Sequence, residues 1–450
     1  MRTVLLAQLL VIAPLGATEL PMTLTVEWST PIGWTAGPPV VAGDRVLVGT
    51  DNRNPRDPKL LGDHGVMMVF RFANGAFLGQ LSHARLDHRS NDLNASIMSR
   101  PHVVKNCVYY NNNRGQLVCV DLTAFDAKPE REKIVWSLDF LRDLNVYKRD
   151  ASDIRNPLPS PIVAGERVFT LTGNGSTFGI ARDTLPMNTS FVPRPNAPSF
   201  VAVNRATGET VWSSAAPGKD IQYGQWASPA LAKVCDTDQV LFPGGDGRLY
   251  GFEAKSGKLV WQVDCNPPSA TRWDGGRLGT RVSFVAAPVV RKGMAYIGTA
   301  IDLERTDVPR PILAIDITRK GDATREAIRW RFHDADFGGT FGQVALGERT
   351  LYALGGSGEL VCLNLADGKP LWRQALGGDA RHFAAPIVVD GRVFVAAGRK
   401  LFVFKDAPAC ALLAEHRFKE VVTATPAVHA NALLIATKGT LHKMSMSSKR

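Results

Sequence analysis

Cysteine is scarce and scattered in this chain: six in 450 residues, with no Cys-x-x-Cys and no spacing that suits a metal. Zinc ribbons and dithiol redox chemistry are therefore not expected. No His-Glu-x-x-His occurs and no Ser, His and Asp set can be assembled. Gly173-Asn174-Gly175 and Gly356-Ser357-Gly358 open no helix, so neither reads as a phosphate cradle and Ser357 is no nucleophile elbow. Lys and Arg outnumber Asp and Glu by 53 to 42, a formal charge of +11, yet they form no run and no aromatic-interleaved patch. Nucleic acid is thus not an expected partner, whereas an anionic surface, polysaccharide or acidic ligand is. The one long apolar run, Val4 to Ala13 broken by Gln8, is too short to span a bilayer. With Arg2 before it and Pro14, Gly16 and Ala17 after it, the run reads as a secretory signal peptide over residues 1–17, a buried first strand being the alternative. The remainder, 18–450, is then an exported soluble protein, periplasmic or secreted.

What the chain does have is repetition. Gly244 to Trp261, GGDGRLYGFEAKSGKLVW, reads as two short strands joined at Ser256-Gly257, a turn that uses the positive φ open to glycine. Near-copies end at Trp136, Trp212, Trp330 and Trp372, and Trp28 closes a fragment of the same kind. Upstream of each copy lies a Pro followed by β-branched residues, a turn and a further apolar strand, at Pro39, Pro101, Pro161, Pro229, Pro288, Pro386 and Pro426, with Gln343 in the Pro position of one unit. That makes eight units of four strands. Third strands such as Leu117 to Val120 and Leu360 to Leu363 are apolar at nearly every position, so both of their faces must be covered, as sheet stacked on sheet requires. The last unit runs out after Thr440 to Ser445, and Thr25 to Trp28 supplies a spare fourth strand, so the two ends are expected to share the final sheet and close a ring.

Strand pairs ending in Trp and repeated eight times, as in GRLYGFEAKSGKLVW, resemble the pyrroloquinoline-quinone (PQQ) repeat family of eight-bladed β-propellers, and the resemblance covers essentially the whole chain after residue 17. It implies an all-β fold and a structural role for the repeated Trp residues, with Phe77-Leu78 and Arg417-Phe418 standing in for Trp in two units. The family includes quinoprotein alcohol dehydrogenases, which hold PQQ between a Trp floor and a disulfide of adjacent cysteines, with calcium and an Asp base. This chain has no adjacent Cys pair. The family also includes a cofactor-free propeller lipoprotein of outer-membrane protein assembly, whose lipidated Cys is missing here.

In such a ring, the loops after second and fourth strands share one face, and this is where the insertions fall: Asp51 to Gly65, Leu81 to Arg100, Leu138 to Ser160, Ser176 to Ser199, Gln262 to Ala287 and Ala300 to Pro311. Residues just before first strands point from that face toward the axis. Arg100, Arg155, Arg281 and Arg381 with His382, walled by Trp226 and Phe341, either clasp a carboxylate-bearing ligand bidentately or merely cap loop carbonyls and solvate the rim. Trp273 is a further candidate contact by family analogy. His333 and Asp336, in the His-Asp-Ala-Asp loop, suit a hard cation or a base, or a solvated acidic loop. Cys107 and Cys119 flank a hairpin and read as a cross-strand disulfide or as two buried thiols. The expected function is a non-catalytic, monomeric scaffold that binds a protein segment, glycan or small acidic ligand on the long-loop face. The alternative is a PQQ-dependent alcohol or sugar dehydrogenase, with PQQ and calcium as cofactors by family resemblance only.

Overall fold

The computed structural model describes residues 20–60, 62–86, 96–126, 132–147, 159–177, 191–222, 224–274, 277–300, 308–377 and 384–448. They form eight four-stranded antiparallel sheets, the blades of a β-propeller. Blade 1 comprises Val40–Ala42, Arg45–Asp51, His64–Arg71 and Phe77–Ala84. Blades 2 to 7 repeat this order, beginning at His102, Ile162, Ala230, Val289, Ala345 and Ile387. Blade 8 takes Ala427–His429, Ala432–Thr437 and Thr440–Ser448 from the end of the chain, and its fourth strand, Met22–Pro31, from the beginning. The closing pair is antiparallel from Met22 opposite Ser448 to Pro31 opposite Thr440, longer than the four residues expected.

The core is not central. Eight apolar clusters are found among the described residues, each shared by two neighbouring blades. Leu360, Val361, Cys362 and Leu363 are completely buried because alternate side chains serve the interfaces on either side of their sheet.

The repeated Trp residues tie these interfaces together. Each fourth strand pairs with the third across a register shift, and Trp28, Trp136, Trp212, Trp330 and Trp372 lie at that bulge. Each indole Nε1 donates to a carbonyl just after the third strand of the next blade: Phe72, Arg205, Ala254, Leu365 and Ala407, at 3.0–3.2 Å. Four of these turns carry a positive-φ glycine under the indole, where a Cβ on Gly75, Gly208, Gly257 or Gly368 would come within 2.5–2.8 Å of a ring atom.

Two expectations need correction. The register puts Gly79 and Ala414 in the Trp position of blades 1 and 7, not Phe77-Leu78 or Arg417-Phe418. Phe125 from the longer turn of blade 2 fills the space over Gly79, whereas Ala414 packs with Met22 and Met446, because blade 8 has chain ends where the other blades have a turn. Blade 4 also gains a strand from its neighbour, since Gly321–Asp322 of blade 5 adds to it as a fifth, parallel strand beside Trp261 and Gln262. Trp261 itself folds over Gly251 of its own sheet and donates to Gln239 Oε1 at 2.8 Å.

The hairpin register sets the two cysteines in question diagonally across the strand pair, near enough for Cys107 to help raise the pKa of Cys119. Cys107 lies opposite Asp121 and Cys119 opposite Tyr109, and both are free thiols. Burial raises the Cys119 thiol pKa to about 12, so it is inert as a nucleophile.

Replacing Trp372 by Ala, which empties an interface and frees the Ala407 carbonyl, is expected to cost about 3–5 kcal/mol in denaturant unfolding. Val135→Ser, at an exposed neighbour of Trp136, should stay within about 0.5 kcal/mol. Equal shifts in the two variants would contradict the assignment of the Trp residues to the interfaces.

Candidate ligand-binding face

Turns after first strands span two or three residues, as at Gly43-Asp44, Gly165-Glu166 and Asp390-Gly391, so the opposite face is built mostly from short turns, the exceptions being the third-to-fourth-strand connections at 122–133 and 317–327. The long connections leave the other face. They begin near the first strands, where the residue before the Pro is held by the next blade in three cases: Arg100 N–H donates to Ser160 Oγ at 2.9 Å, Ser160 N–H to Ser228 Oγ at 2.8 Å and Ala385 N–H to Thr425 Oγ1 at 2.8 Å. These bonds fix the axial residues to the scaffold rather than to loops.

Of the residues singled out in the sequence, Arg155, Arg381 and His382 lie outside the described residues. Arg100 is accessible yet densely surrounded, and desolvation lowers its pKa, as for a cation on the wall of a concavity. Trp226 is half-buried and packs over Gly224. Arg281 is half-buried, its backbone N–H on the Thr271 carbonyl at 3.3 Å. It lies close enough to Arg272 to add to the lowering of that guanidinium's pKa, which desolvation dominates. Trp273 belongs to the small hairpin Trp273–Asp274 with Arg277–Leu278 in the same long loop. Phe341 is half-buried.

His333 and Asp336 are both exposed, and the organising residue of their loop is Asp334. Its Oδ1 accepts the backbone N–H of Asp336 at 2.9 Å and of Phe337 at 3.2 Å, and its Oδ2 pairs with Arg373, which also reaches Glu359 at 3.4 Å. Desolvation opposes ionisation of Asp334, but the Arg373 bond and the backbone donors outweigh it and leave its pKa lowered. The loop then passes through Gly338 and Gly339, both at positive φ, and is pinned to blade 6 by Gly356 N–H donating to the Gly339 carbonyl at 2.8 Å. Between this loop and Val308-Pro309-Arg310 lies a cavity of about 60 Å³, lined by Arg310, His333, Asp334, Ala335, Gly338 and Gly339. Sequence reasoning missed Arg310; its only signal was an Arg inside an insertion.

Two further features were also missed. Trp34, 43 % exposed, stands at the seam of blades 8 and 1 with Arg53 and Lys438 over its ring at 4.9 and 4.4 Å. Fully buried Asp51 holds the Trp34 and Thr35 N–H groups and pairs with Arg53 at 2.6 Å. In blade 4, Asp246 is buried in the Gly-Gly-Asp-Gly turn, accepting from Tyr250 Oη at 2.7 Å and Arg248 N–H at 3.1 Å. Desolvation raises its pKa to about 6 despite these donors.

No group of three or more His, Cys, Asp or Glu suited to a metal occurs among the described residues, and no helix there is long and apolar enough to cross a membrane. The cysteines are not adjacent. These residues do not fit PQQ with calcium as the family's dehydrogenases hold it.

Closed eightfold sheets, Trp-stapled interfaces and elaborated loops on one face define a PQQ-repeat β-propeller. The family model described as outer membrane protein assembly factor BamB matches residues 124–300 and 316–407, more than half of the sequence, and the chain belongs to that family. Among solved structures it is similar to BamB from Moraxella catarrhalis, at a TM-score of 0.58 and 12% identity over 94% of this chain and 98% of that one. It is also similar to a europium-containing methanol dehydrogenase, at 0.55 and 10% over 94% and 93%. Both likenesses show the fold alone. The dehydrogenase subunit of a quinone alcohol dehydrogenase from Gluconacetobacter polyoxogenes is 36% identical over 101 residues, 22% of this chain and 13% of that protein. A polyvinylalcohol dehydrogenase from Sphingopyxis sp. (strain 113P3) is 27% identical over 107 residues, 22% of this chain and 16% of that protein. The chain thus matches less than a fifth of the length of these curated relatives.

Asp246 gives a pH prediction. Its folded pKa is about 6 and that of an unfolded carboxylate about 4. Between these values the folded chain keeps the proton, so the group favours folding at acid pH and loses that contribution as pH rises through 6. Asp246→Asn should therefore gain stability relative to the parent by about 2 kcal/mol on going from pH 4.5 to pH 7.5, read from urea midpoints. A difference that is flat with pH would count against a strained buried carboxylate.

Proposed function

We propose that this chain is an exported, non-catalytic scaffold that binds a protein segment, glycan or small acidic ligand through its long-loop face. The observation that carries the reading is the asymmetry of the ring: most insertions and the accessible Trp34 lie on one rim, whereas the other consists of short turns apart from the third-to-fourth-strand connections of blades 2 and 5. A rigid ring contributes position, and the loops on one rim contribute recognition. The similarity to an assembly factor supports the scaffold reading, with residues 1–17 read as a signal peptide and the mature chain as periplasmic or secreted. Arg100, Arg281, Trp226 and Phe341, with Trp273, His333 and Asp336, are the proposed contacts, and Arg155, Arg381 and His382 complete the set from sequence.

A dehydrogenase reading is favoured by one observation, the 36% identity of a 101-residue stretch to a quinone-dependent alcohol dehydrogenase subunit. Against it, the described residues supply no cluster of calcium ligands, and the sequence has no adjacent cysteines.

Photo-crosslinking residues placed at Trp34 and Trp226 should capture the partner in the producing cell, while the same probe at Asp44 and Asp390 should not. Equal capture from both faces would overturn the assignment of the binding rim. Dye reduction by purified chain supplied with PQQ, calcium and an alcohol panel would replace the scaffold reading with the enzymatic one.

A further inference from the structure

The cavity between blades 5 and 6 contains a charge that the described residues leave unanswered. Arg310 is 8% exposed and has no hydrogen-bond or ion-pair partner among the described residues. Both oxygens of the neighbouring Asp334 are engaged, one by two backbone N–H groups and the other by Arg373. Space for the Arg310 side chain is made by Gly339, where a Cβ would stand 2.6 Å from Arg310 Cβ and 3.1 Å from its Cδ. The floor is rigid, since Phe337 is buried against Phe332 at a ring separation of 5.7 Å and its carbonyl accepts Ser357 N–H at 3.4 Å. The guanidinium opens only to the cavity and has no partner in the wall, and desolvation lowers its pKa. Such a group is poised to take an anion that enters the cavity.

We propose that Arg310, with His333 and the Gly338-Gly339 backbone around it, forms a pocket for one carboxylate group. The volume of about 60 Å³ is roughly twice a water's share of the liquid, which suits a single carboxylate and not a large ring. Guanidinium binds carboxylate through two parallel N–H donors. Asp334 on the wall and Asp336 in the same loop disfavour a dianion such as phosphate by like-charge repulsion. The carboxylate comes either from a free small acid or from the end of a partner's chain. The proposal rests on the long-loop face being the binding face and gives its ligand a chemistry.

The test is a thermal titration of the full chain with sodium acetate against sodium chloride at constant ionic strength. Acetate should raise Tm saturably in the parent, not in Arg310→Met, and with at least about tenfold weaker affinity in Arg310→Lys, which keeps the charge but loses the fork. In chloride alone, Arg310→Met should melt no lower than the parent, because it removes an unpaired buried charge and retains the bulk. An acetate response that survives in Arg310→Met, or none in the parent, would overturn the pocket; so would a large fall in Tm for Arg310→Met in chloride, which would make the residue structural. A pentapeptide with a free C-terminus and its amidated twin separate the two sources: tighter binding than acetate, lost on amidation, points to a partner's chain end, and equal binding of the two peptides with acetate still active points to a free acid. Acetate needs no macromolecular partner, so its failure leaves the scaffold reading standing, and cross-linking to the wrong rim would remove that reading without touching the pocket.

Discussion

The packing of an indole on the turn of the next blade is the constraint from which the architecture follows. A Trp at the fourth-strand bulge needs a carbonyl for its N–H and a surface for its ring, and the next repeat supplies both just after its third strand, at Ala254 and Gly257 in the case of Trp212. The glycine answers two demands at once. It takes the positive φ of the turn, and its missing side chain leaves room for the ring, where a Cβ would stand 2.6 Å from an indole atom. Blades 3 and 6 carry both halves of the device, Trp212 and Trp372 for the blade after and Gly208 and Gly368 for the blade before. A repeat of this kind cannot stand alone, because its sheet is apolar on both faces.

Where the staple is missing, the neighbourhood shows why. Blade 7 has Ala414 at the Trp position, and the blade beyond it is the one whose third and fourth strands come from opposite ends of the sequence and share no turn. Blade 1 has Gly79, and the ring there comes from Phe125 of blade 2 instead. Blade 4 keeps Trp261 but turns it inward over Gly251, and the widened turn of blade 5 contributes Gly321–Asp322 as an added strand. The stretch that displays the repeat most clearly to the eye, Gly244 to Trp261, thus contains the one repeat Trp that ties its own sheet rather than the next.

The blade count, the seam and the long-loop face were legible in the sequence because each rests on a pattern written many times: apolar third strands, Trp with Gly, and tight turns against long ones. The departures were not, since a single Gly251 or Gly79 carries no periodicity and acquires meaning only from the register beside it. The candidate site divides in the same way. His333 and Asp336 stood out as a dense polar loop, but the residue that shapes the loop is Asp334 between them, through an Asx turn and an ion pair to Arg373, which is 39 residues away. Arg310 and Trp34 were silent because burial and exposure, not residue type, make them unusual.

Exposed and buried cations divide the long-loop face by purpose. Arg53 is paired with Asp51 and Arg373 with Asp334 and Glu359; each holds a loop in shape, and removing either partner would leave a charge uncompensated. Arg310 has the same chemistry without a partner among the described residues, in a wall that had one to offer: Asp334 stands beside the cavity and is directed to Arg373 instead. A structural arginine would be neutralised internally, as the other two are. One left unneutralised, over a glycine that makes way for it, keeps its hydrogen-bonding capacity for something outside the fold, and the ring's rigidity keeps the pocket open for it.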